Sequence, residues 1–498
     1  MINYFYFIKS LINNNYFISK NIYKKTKLFE YNHDFTYLFF FNNDKLKKIL
    51  LNKKTTFNKN EEVYYNYHSF SWIKTAKEIG GSAIVKLTRD KIINWNKKYN
   101  SFFLNFYEIN LVALRLINLT YHFDFFGTTA SKNDKIIINK IIVNHYLFLK
   151  KHLDINKKKS QNSIEIKKSI LLFESIHGFK TNLIIKQILV SIKNDINQKG
   201  MHLSMNPQKH AEYINNLIKI KNIILFFKNN LPKEIEFQIF KMIRVLKSFI
   251  HKDGSVAYFN GANNLYIKNI NKINYLEKDL KAINLNKNEN GLSVFENKNL
   301  KIIFDSVLPA NKLINYGLHS STLAFELSIG KEKIITNCGS TDFKNIKKPN
   351  YLRYSAAHST IILNNTNISE LIETKSYKRI PSNINLNFKE NENEISWESS
   401  HNGYEKNFKK IIKRKLIIDK NKTLICGHDN FISLSNSKNK ILFTIRFHLT
   451  PLCKALLTRS KMSVIIKTNN SSYIFESDHN INLEESIYID NSNKIVKT

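Results

Sequence analysis

A chain of 498 residues with 43% hydrophobic and 12% aromatic content, 6 Pro and 13 Gly is not a disordered or low-complexity segment. It is also too long for one ordinary core, so two domains are expected. Its formal charge of +37 suits a polyanionic partner, yet Lys, Asn and Ile are abundant throughout, so the charge reads first as chain-wide composition and second as a basic patch.

The N-terminal run MINYFYFIKSLINNNYFISKNIYKK is basic and aromatic, but Lys9, Asn13, Asn14 and Asn15 break its apolar stretches. It lacks the apolar h-region and small-residue cleavage site of a secretory signal, and an interfacial amphipathic anchor is the weaker alternative. No stretch reaches the roughly 18 apolar residues of a membrane-spanning helix. The compartment stays open between cell envelope or periplasm and cytoplasm.

From about residue 60 to 250 the apolar period is helical. AIVKLTRDKIINWNKKY and YEINLVALRLINLTYHF behave this way. In AEYINNLIKIKNIILFF, residues Ile214, Leu217, Ile218, Ile224 and Leu225 fall on one face. In KEIEFQIFKMIRVLKSFI the face is Ile235, Ile239, Met242, Ile243, Leu246, Phe249 and Ile250, with Pro232 at the helix start. No fixed-length repeat is evident, which argues against a solenoid of identical units.

KDGSVAYFNGANN then carries turn signals at Asp253-Gly254 and Asn260-Gly261, read as turn chemistry, and a Lys/Asn-rich stretch resembles a linker. After Gly291 the period becomes two. LAFELSIGKEKIITN alternates Leu323, Phe325, Leu327 and Ile329 against Ala324, Glu326 and Ser328, with Gly330 in a hairpin turn. STIILNN, KRKLIIDKNKTLICG, KILFTIRFHL and MSVIIKTNNSSYIFES continue at the spacing of an all-β sandwich. Helices followed by strands, rather than alternating with them, indicate a helical domain and then a separate β domain. On this reading residues 1–59 are an N-terminal extension, 60–275 the helical domain, 276–290 a linker and 291–498 the sandwich.

Several residues draw structural readings. Glu326, opposite in parity to Phe325, reads as solvent-facing or as a cross-strand partner. His319 shares the parity of Leu323 and Phe325 and is expected on the packed face. His448 in RFHLTP reads as a hydrogen-bonded sandwich histidine. KNFKKIIKRK (406–415) reads first as a solvated face and second as a polyanion contact. Cys338, Cys426 and Cys453, without CxxC spacing, sit in or beside apolar runs as small hydrophobes and argue against a disulfide framework or a zinc knuckle.

Specific strings add to these patterns: YHSFSWI (67–73), RLINL (115–119), KGMHLSMNPQKHAEYINNL (199–217), HKDGSVAYFNGA (251–262), LHSSTLAFELS followed by IITNCGS and RYSAAHSTIIL, HNGY (401–404) and RFHL (446–449). Together they resemble the heparinase II/III-like proteins, and within them an uncharacterised bacterial branch. The resemblance runs over roughly residues 60–490 and is most specific over 318–363. It implies an incomplete α/α toroid followed by an antiparallel β-sandwich. It also implies β-elimination across a uronic acid, in which a base removes the C5 proton and an acid protonates the departing glycosidic oxygen.

The family pattern transfers residue by residue. His319 and His358 fall on zinc-binding histidines, and the intervening ligand falls on Asn337, where an Asp is expected. An amide oxygen is a weaker zinc ligand than a carboxylate, so the resemblance implies either a weakened zinc site or a metal-free polar network around Asn337. A catalytic histidine is replaced by Gly317, a tyrosine by Lys209, and a later tyrosine by Phe343. The remaining catalytic candidates are His202, Lys209 and His210, with helix-end capping or packing as the alternative for the two histidines. Arg353 is the candidate for a substrate carboxylate, since a guanidinium fork matches that geometry. Two functions follow: a lyase acting on an acidic polysaccharide, or a catalytically degenerate glycan-binding or cell-envelope assembly protein on the same scaffold. No helix-turn-helix or RNP string supports specific nucleic-acid binding, and the oligomeric state stays open.

Overall fold

Helical spacing of apolar residues builds the first part of the chain and period-two spacing the second. The computed structural model describes residues 62–99, 108–155, 163–227, 229–263, 279–286, 291–309, 317–340, 351–372, 376–435, 440–490 and 494–498. The expected extension 1–59, parts of the expected linker (276–278 and 287–290) and Phe343 lie outside them. Two compact units emerge, Met1–Asn194 with Asn216–Glu236 and Asp195–Asn215 with Phe237–Thr498.

The first unit holds helices α1 (Glu62–His68), α2 (Trp72–Ile79), α3 (Ser82–Tyr99), α4 (Ile109–Tyr121), α5 (Phe123–Gly127), α6 (Lys132–Ile155), α7 (Ile164–Ile176) and all but the last residue of α8 (Asn182–Asp195). Helix α4 packs on α6 and α7 and buries Leu111, Val112, Leu116 and Leu119. The YHSFSWI and RLINL strings meet here. Buried Arg115 donates from Nε to His145 Nε2 at 2.9 Å and from Nη1 to the His68 carbonyl at 2.6 Å. Trp95, whose ring lies 4.6 Å from the guanidinium, donates to His68 Nδ1 at 3.0 Å. A buried guanidinium persists only when its donors are paired. Burial, with Arg115 nearby, holds both His68 and His145 at about 3 and so keeps them neutral acceptors.

The second unit takes residues 207–215 of α9 (Pro207–Phe226) and 237–248 of α10 (Lys233–Ser248). The expected face of α10 is buried at Ile235, Ile239, Met242, Ile243 and Leu246. On α9 Ile214, Leu217 and Ile224 are buried as expected, but Ile218 is half-buried and Leu225 exposed; the buried stripe takes in Ile220 and Ile223 as well.

Strands β1 (Ser293–Glu296), β2 (Leu300–Phe304), β3 (Phe325–Ile329) and β4 (Glu332–Thr336) run in that order in an antiparallel sheet that ends on His448–Leu449. Gly330, at φ +57, makes the tight turn between β3 and β4. A four-stranded sheet, in the order Ile425–Ser433, Lys410–Asp419, Glu394–His401, Ile384–Glu390, faces it. Between the two lies one core of Ile302, Phe304, Phe325, Leu327 and Ile335 against Ile395, Trp397, Ile412, Leu416 and Ile418. Phe304 and Trp397 stack there with centroids 5.9 Å apart.

The opposite face of the first sheet is covered as well. Ile303 and Ala324 pack with Met201, Met205, Val245, Phe249, Ala257 and Phe259 in a second core. Glu326 is therefore 0% exposed, which corrects the solvent-facing reading: alternation implies a wet face only when nothing packs on it. Strand parity does not reach back to His319 either. Regular pairing starts at Phe325, after a turn in which Leu323 takes φ +62, although His319 is buried as expected. His448 holds both ring nitrogens in hydrogen bonds, to Ser486 Oγ at 2.7 Å and the Ala356 carbonyl at 2.9 Å. Cys426 is exposed, whereas Cys338 is buried.

Candidate functional site

The two family-specific histidines lie on irregular segments that the first sheet brings together. His319 precedes β3, and His358 follows a short 3-10 turn, Ser355–Ala357. His319 Nδ1 and His358 Nε2 are 3.2 Å apart, and His358 Nδ1 is 3.0 Å from Asn337 Oδ1. Asn337 continues the line, donating to Glu326 Oε1 from its backbone N–H at 2.9 Å and from Nδ2 at 3.4 Å.

Glu326 is the anchor. Thr336 Oγ1 donates to its Oε1 at 3.1 Å, His251 Nε2 lies 3.0 Å from Oε2, and Lys333 Nζ forms an ion pair with Oε2 at 2.8 Å. Burial alone would push this carboxyl up, but the Lys333 charge and the His251 hydrogen bond outweigh it and hold it at about 2. Lys333 is correspondingly raised by Glu326 against its own burial. Burial lowers His251, which donates as a neutral imidazole.

The helical residues of the same unit sit beside this line. Asn206 caps α9, accepting at Oδ1 from Lys209 N–H at 3.0 Å. Its Nδ2 donates to Asn260 O at 2.9 Å, Asn260 Nδ2 donates to Met205 O at 3.2 Å, and Gln208 Oε1 accepts from Asn263 N–H at 3.0 Å. These bonds clamp the start of α9 to the 260–263 turn. There Gly261, at φ +88, passes so close that a Cβ would lie 3.1 Å from Gly317 O and 3.4 Å from His319 Nε2. The Asn260-Gly261 pair, read from sequence as turn chemistry alone, is thus also what lets the turn approach His319.

The candidates divide by what their atoms already do. Fully buried His210 accepts at Nδ1 from His202 N–H at 3.2 Å and donates from Nε2 to the Met242 carbonyl at 2.8 Å, so both nitrogens are occupied. His202 accepts at Nδ1 from Ser204 N–H at 3.1 Å. Burial lowers its pKa to about 3, with His210 and Lys209 adding to the effect. The Lys209 amine makes no hydrogen bond or ion pair among the described residues; burial lowers its pKa, with Glu212 opposing. Its charge adds to the burial that lowers both His202 and His319. Arg353 uses Nε and Nη1 on the carbonyls of Leu318 and Ile372, each at 3.0 Å, and accepts from Ser320 N–H at 2.8 Å. It ties down the loop that carries His319. His319 Nε2 is buried and has no hydrogen-bond partner among the described residues.

Residues 287–498 match the family described as heparinase II/III-like, C-terminal. That C-terminal part of the chain is heparinase II/III-like. Among solved structures, a heparinase III aligns at a TM-score of 0.70 with 13% identity, over 98% of this chain and 87% of its own. The heparan sulfate lyase HepC from Pedobacter heparinus aligns at 0.59 with 16% identity, over 94% and 81%. A heparinase III gene product aligns at 0.63 with 15% identity, over 91% and 79%. No curated protein matches the chain. At these identities the likeness is one of fold: a helical toroid followed by an antiparallel β-sandwich.

Against the heparinase II/III-like pattern, His319, Asn337 and His358 do come together. Their donor atoms, however, do not converge on one point, because Asn337 Oδ1 faces the ring nitrogen of His358 opposite to the one that meets His319. Sequence reasoning missed Glu326, His251 and Lys333. A signal was present: a tight turn at Gly330 pairs Ser328 with Lys333, which sets Lys333 diagonally beside Glu326 within an otherwise apolar run.

Proposed function

We propose that this heparinase II/III-like chain acts on an acidic polysaccharide by β-elimination. The observation that carries the reading is His319 Nε2, an imidazole nitrogen without a partner among the described residues, beside the 260–263 turn to which the start of α9, with Lys209, is clamped. In the proposed reaction His319 Nε2 takes the C5 proton of a uronic acid. The C5–H electron pair forms the C4–C5 double bond, the C4–O bond breaks, and Lys209 delivers a proton to the departing oxygen. Its positive charge also attracts the substrate carboxylate. A lysine whose pKa is lowered by burial releases a proton more readily, as a general acid must. The solved relatives, named as heparinases and a heparan sulfate lyase, support the substrate class.

A second reading, a glycan-binding protein without turnover, is favoured by Gly317, which has no side chain to offer, and by His210, whose ring nitrogens are both occupied. The test is incubation of the full chain with several uronic-acid polysaccharides, following the ultraviolet absorbance of the unsaturated end. Turnover is expected, with a loss of roughly 100-fold or more in His319→Gln and in Lys209→Met, the range for general acid–base groups. Saturable binding without that absorbance overturns the lyase reading in favour of the second.

A further inference from the structure

We infer that Glu326, Asn337 and His358 form a positioning line that fixes the tautomer of His319, so that its Nε2 lone pair stands ready to accept a polar hydrogen from a bound ligand, without a metal. The inference deepens the proposed function by assigning how its acceptor is set, and it rests on that reading only for the ligand's identity.

Each step follows from what the next atom can do. An ionised carboxylate only accepts, so Glu326 compels Asn337 to turn its Nδ2 toward it, at 3.4 Å. The amide oxygen is thereby presented to His358, 3.0 Å from Nδ1. An amide oxygen only accepts, so His358 carries its hydrogen on Nδ1 and leaves Nε2 as a lone pair. His319 Nδ1, 3.2 Å away, must then be the donor. A neutral imidazole with hydrogen on Nδ1 has its lone pair on Nε2, the atom that faces Gly261 and lacks a partner among the described residues.

The same arrangement conflicts with the zinc that the family resemblance implies. A single ion needs convergent donors and would have to replace the hydrogen shared by the two rings. Asn337, on the far nitrogen of His358, orients that ring rather than joining a ligand set. Glu326, Asn337 and His358 are positioning residues; of the four on this line, His319 is the one that meets the ligand.

The test is the tautomer itself, read in full-length protein labelled with ¹⁵N-histidine by long-range proton–nitrogen correlation, with His319 identified by its loss in His319→Gln. The expected spectrum shows His319 protonated at Nδ1 and bare at Nε2, unchanged by one equivalent of zinc. Asn337→Leu removes the acceptor from His358 and is expected to shift His319 toward the Nε2–H form. Asn337→Asp, protonated between Glu326 and His358, presents the same carbonyl and is expected to restore the original form in the presence of chelator. On any polysaccharide that is turned over, Asn337→Leu lowers kcat about 10-fold or more at unchanged KM, the scale of a lost orienting partner. His319 protonated at Nε2 in the parent protein, or equimolar zinc that shifts both histidines, overturns the inference. Absence of turnover leaves the tautomer readout intact and counts only against the lyase reading.

Discussion

Replacing Lys333 by Met removes one partner from a fully buried ion pair and leaves Glu326, 0% exposed, as a carboxylate without a countercharge in contact. At 2.8 Å the direct attraction is about 6 kcal/mol at an effective dielectric of 20, but desolvation of both ions offsets most of it. Breaking such a pair costs about 3–5 kcal/mol because one charge stays stranded. Glu326 keeps bonds from Thr336, Asn337 and neutral His251, which argues for the low end, about 3 kcal/mol. Hydrogen exchange of peptides covering 325–336 reads this region by itself, and about 3 kcal/mol appears there as a roughly 100-fold rise in the opening constant. Adding Glu326→Gln to Lys333→Met removes the stranded charge and is expected to recover at least half of the loss. A change under tenfold in the single variant refutes the reasoning. So does a double variant that is worse than the single one.

Asp305 supplies a prediction of opposite sign. It is buried and accepts from Ser321 Oγ at 2.8 Å, and burial pushes its pKa up from 3.8 to about 7, against the two hydrogen bonds it accepts. A carboxyl raised on folding stabilises fully below about pH 4, and the contribution is lost as pH rises through about 7. Asp305→Asn is therefore expected to match the parent near pH 4 and to exceed it at pH 8, by up to about 4 kcal/mol in denaturant unfolding; equal stability at both values refutes this. Gly261→Ala combines a left-handed backbone with a Cβ 3.4 Å from His319 Nε2. It is expected to cost about 1–3 kcal/mol in stability and to lower polysaccharide affinity or turnover further than that loss explains. Unchanged activity would show that the turn does not line the working face of His319.

Much of the fold is legible in the residues. The 3.6 period of α10 marks its buried face, and the two-residue alternation around Gly330 marks β3 and β4 at nearly their observed ends. Legibility fails where a second layer intervenes. Glu326 looks like a wet strand position until Val245, Phe249 and Phe259 are known to cover that side. His251 looks like part of a turn, because its partner Glu326 lies 75 residues on. His319 and His358 are 39 residues apart, and no local period joins them; only the family resemblance does. Arg353 misleads differently: its type suits a carboxylate, yet two of its donors are satisfied by backbone carbonyls that no pattern in the sequence announces.

The amide at 337 is best understood together with Glu326. Asn337 Nδ2 and backbone N both approach the same Glu326 oxygen, so an ionised Asp at 337 would set two buried carboxylates within about 4 Å of each other. That repulsion is about 4 kcal/mol at an effective dielectric of 20, and it would require a proton or a cation between them. An amide of the same shape relieves the repulsion, donates to Glu326 and accepts from His358. The His319–His358 contact then closes as a direct hydrogen bond. Simple loss of a site would scatter unsatisfied groups through this core, since each buried polar atom costs free energy unless paired. Along this line the nitrogen left unpartnered among the described residues is His319 Nε2. That pattern, a paired line with one open acceptor at its end, is what the proposed positioning role of Asn337 requires.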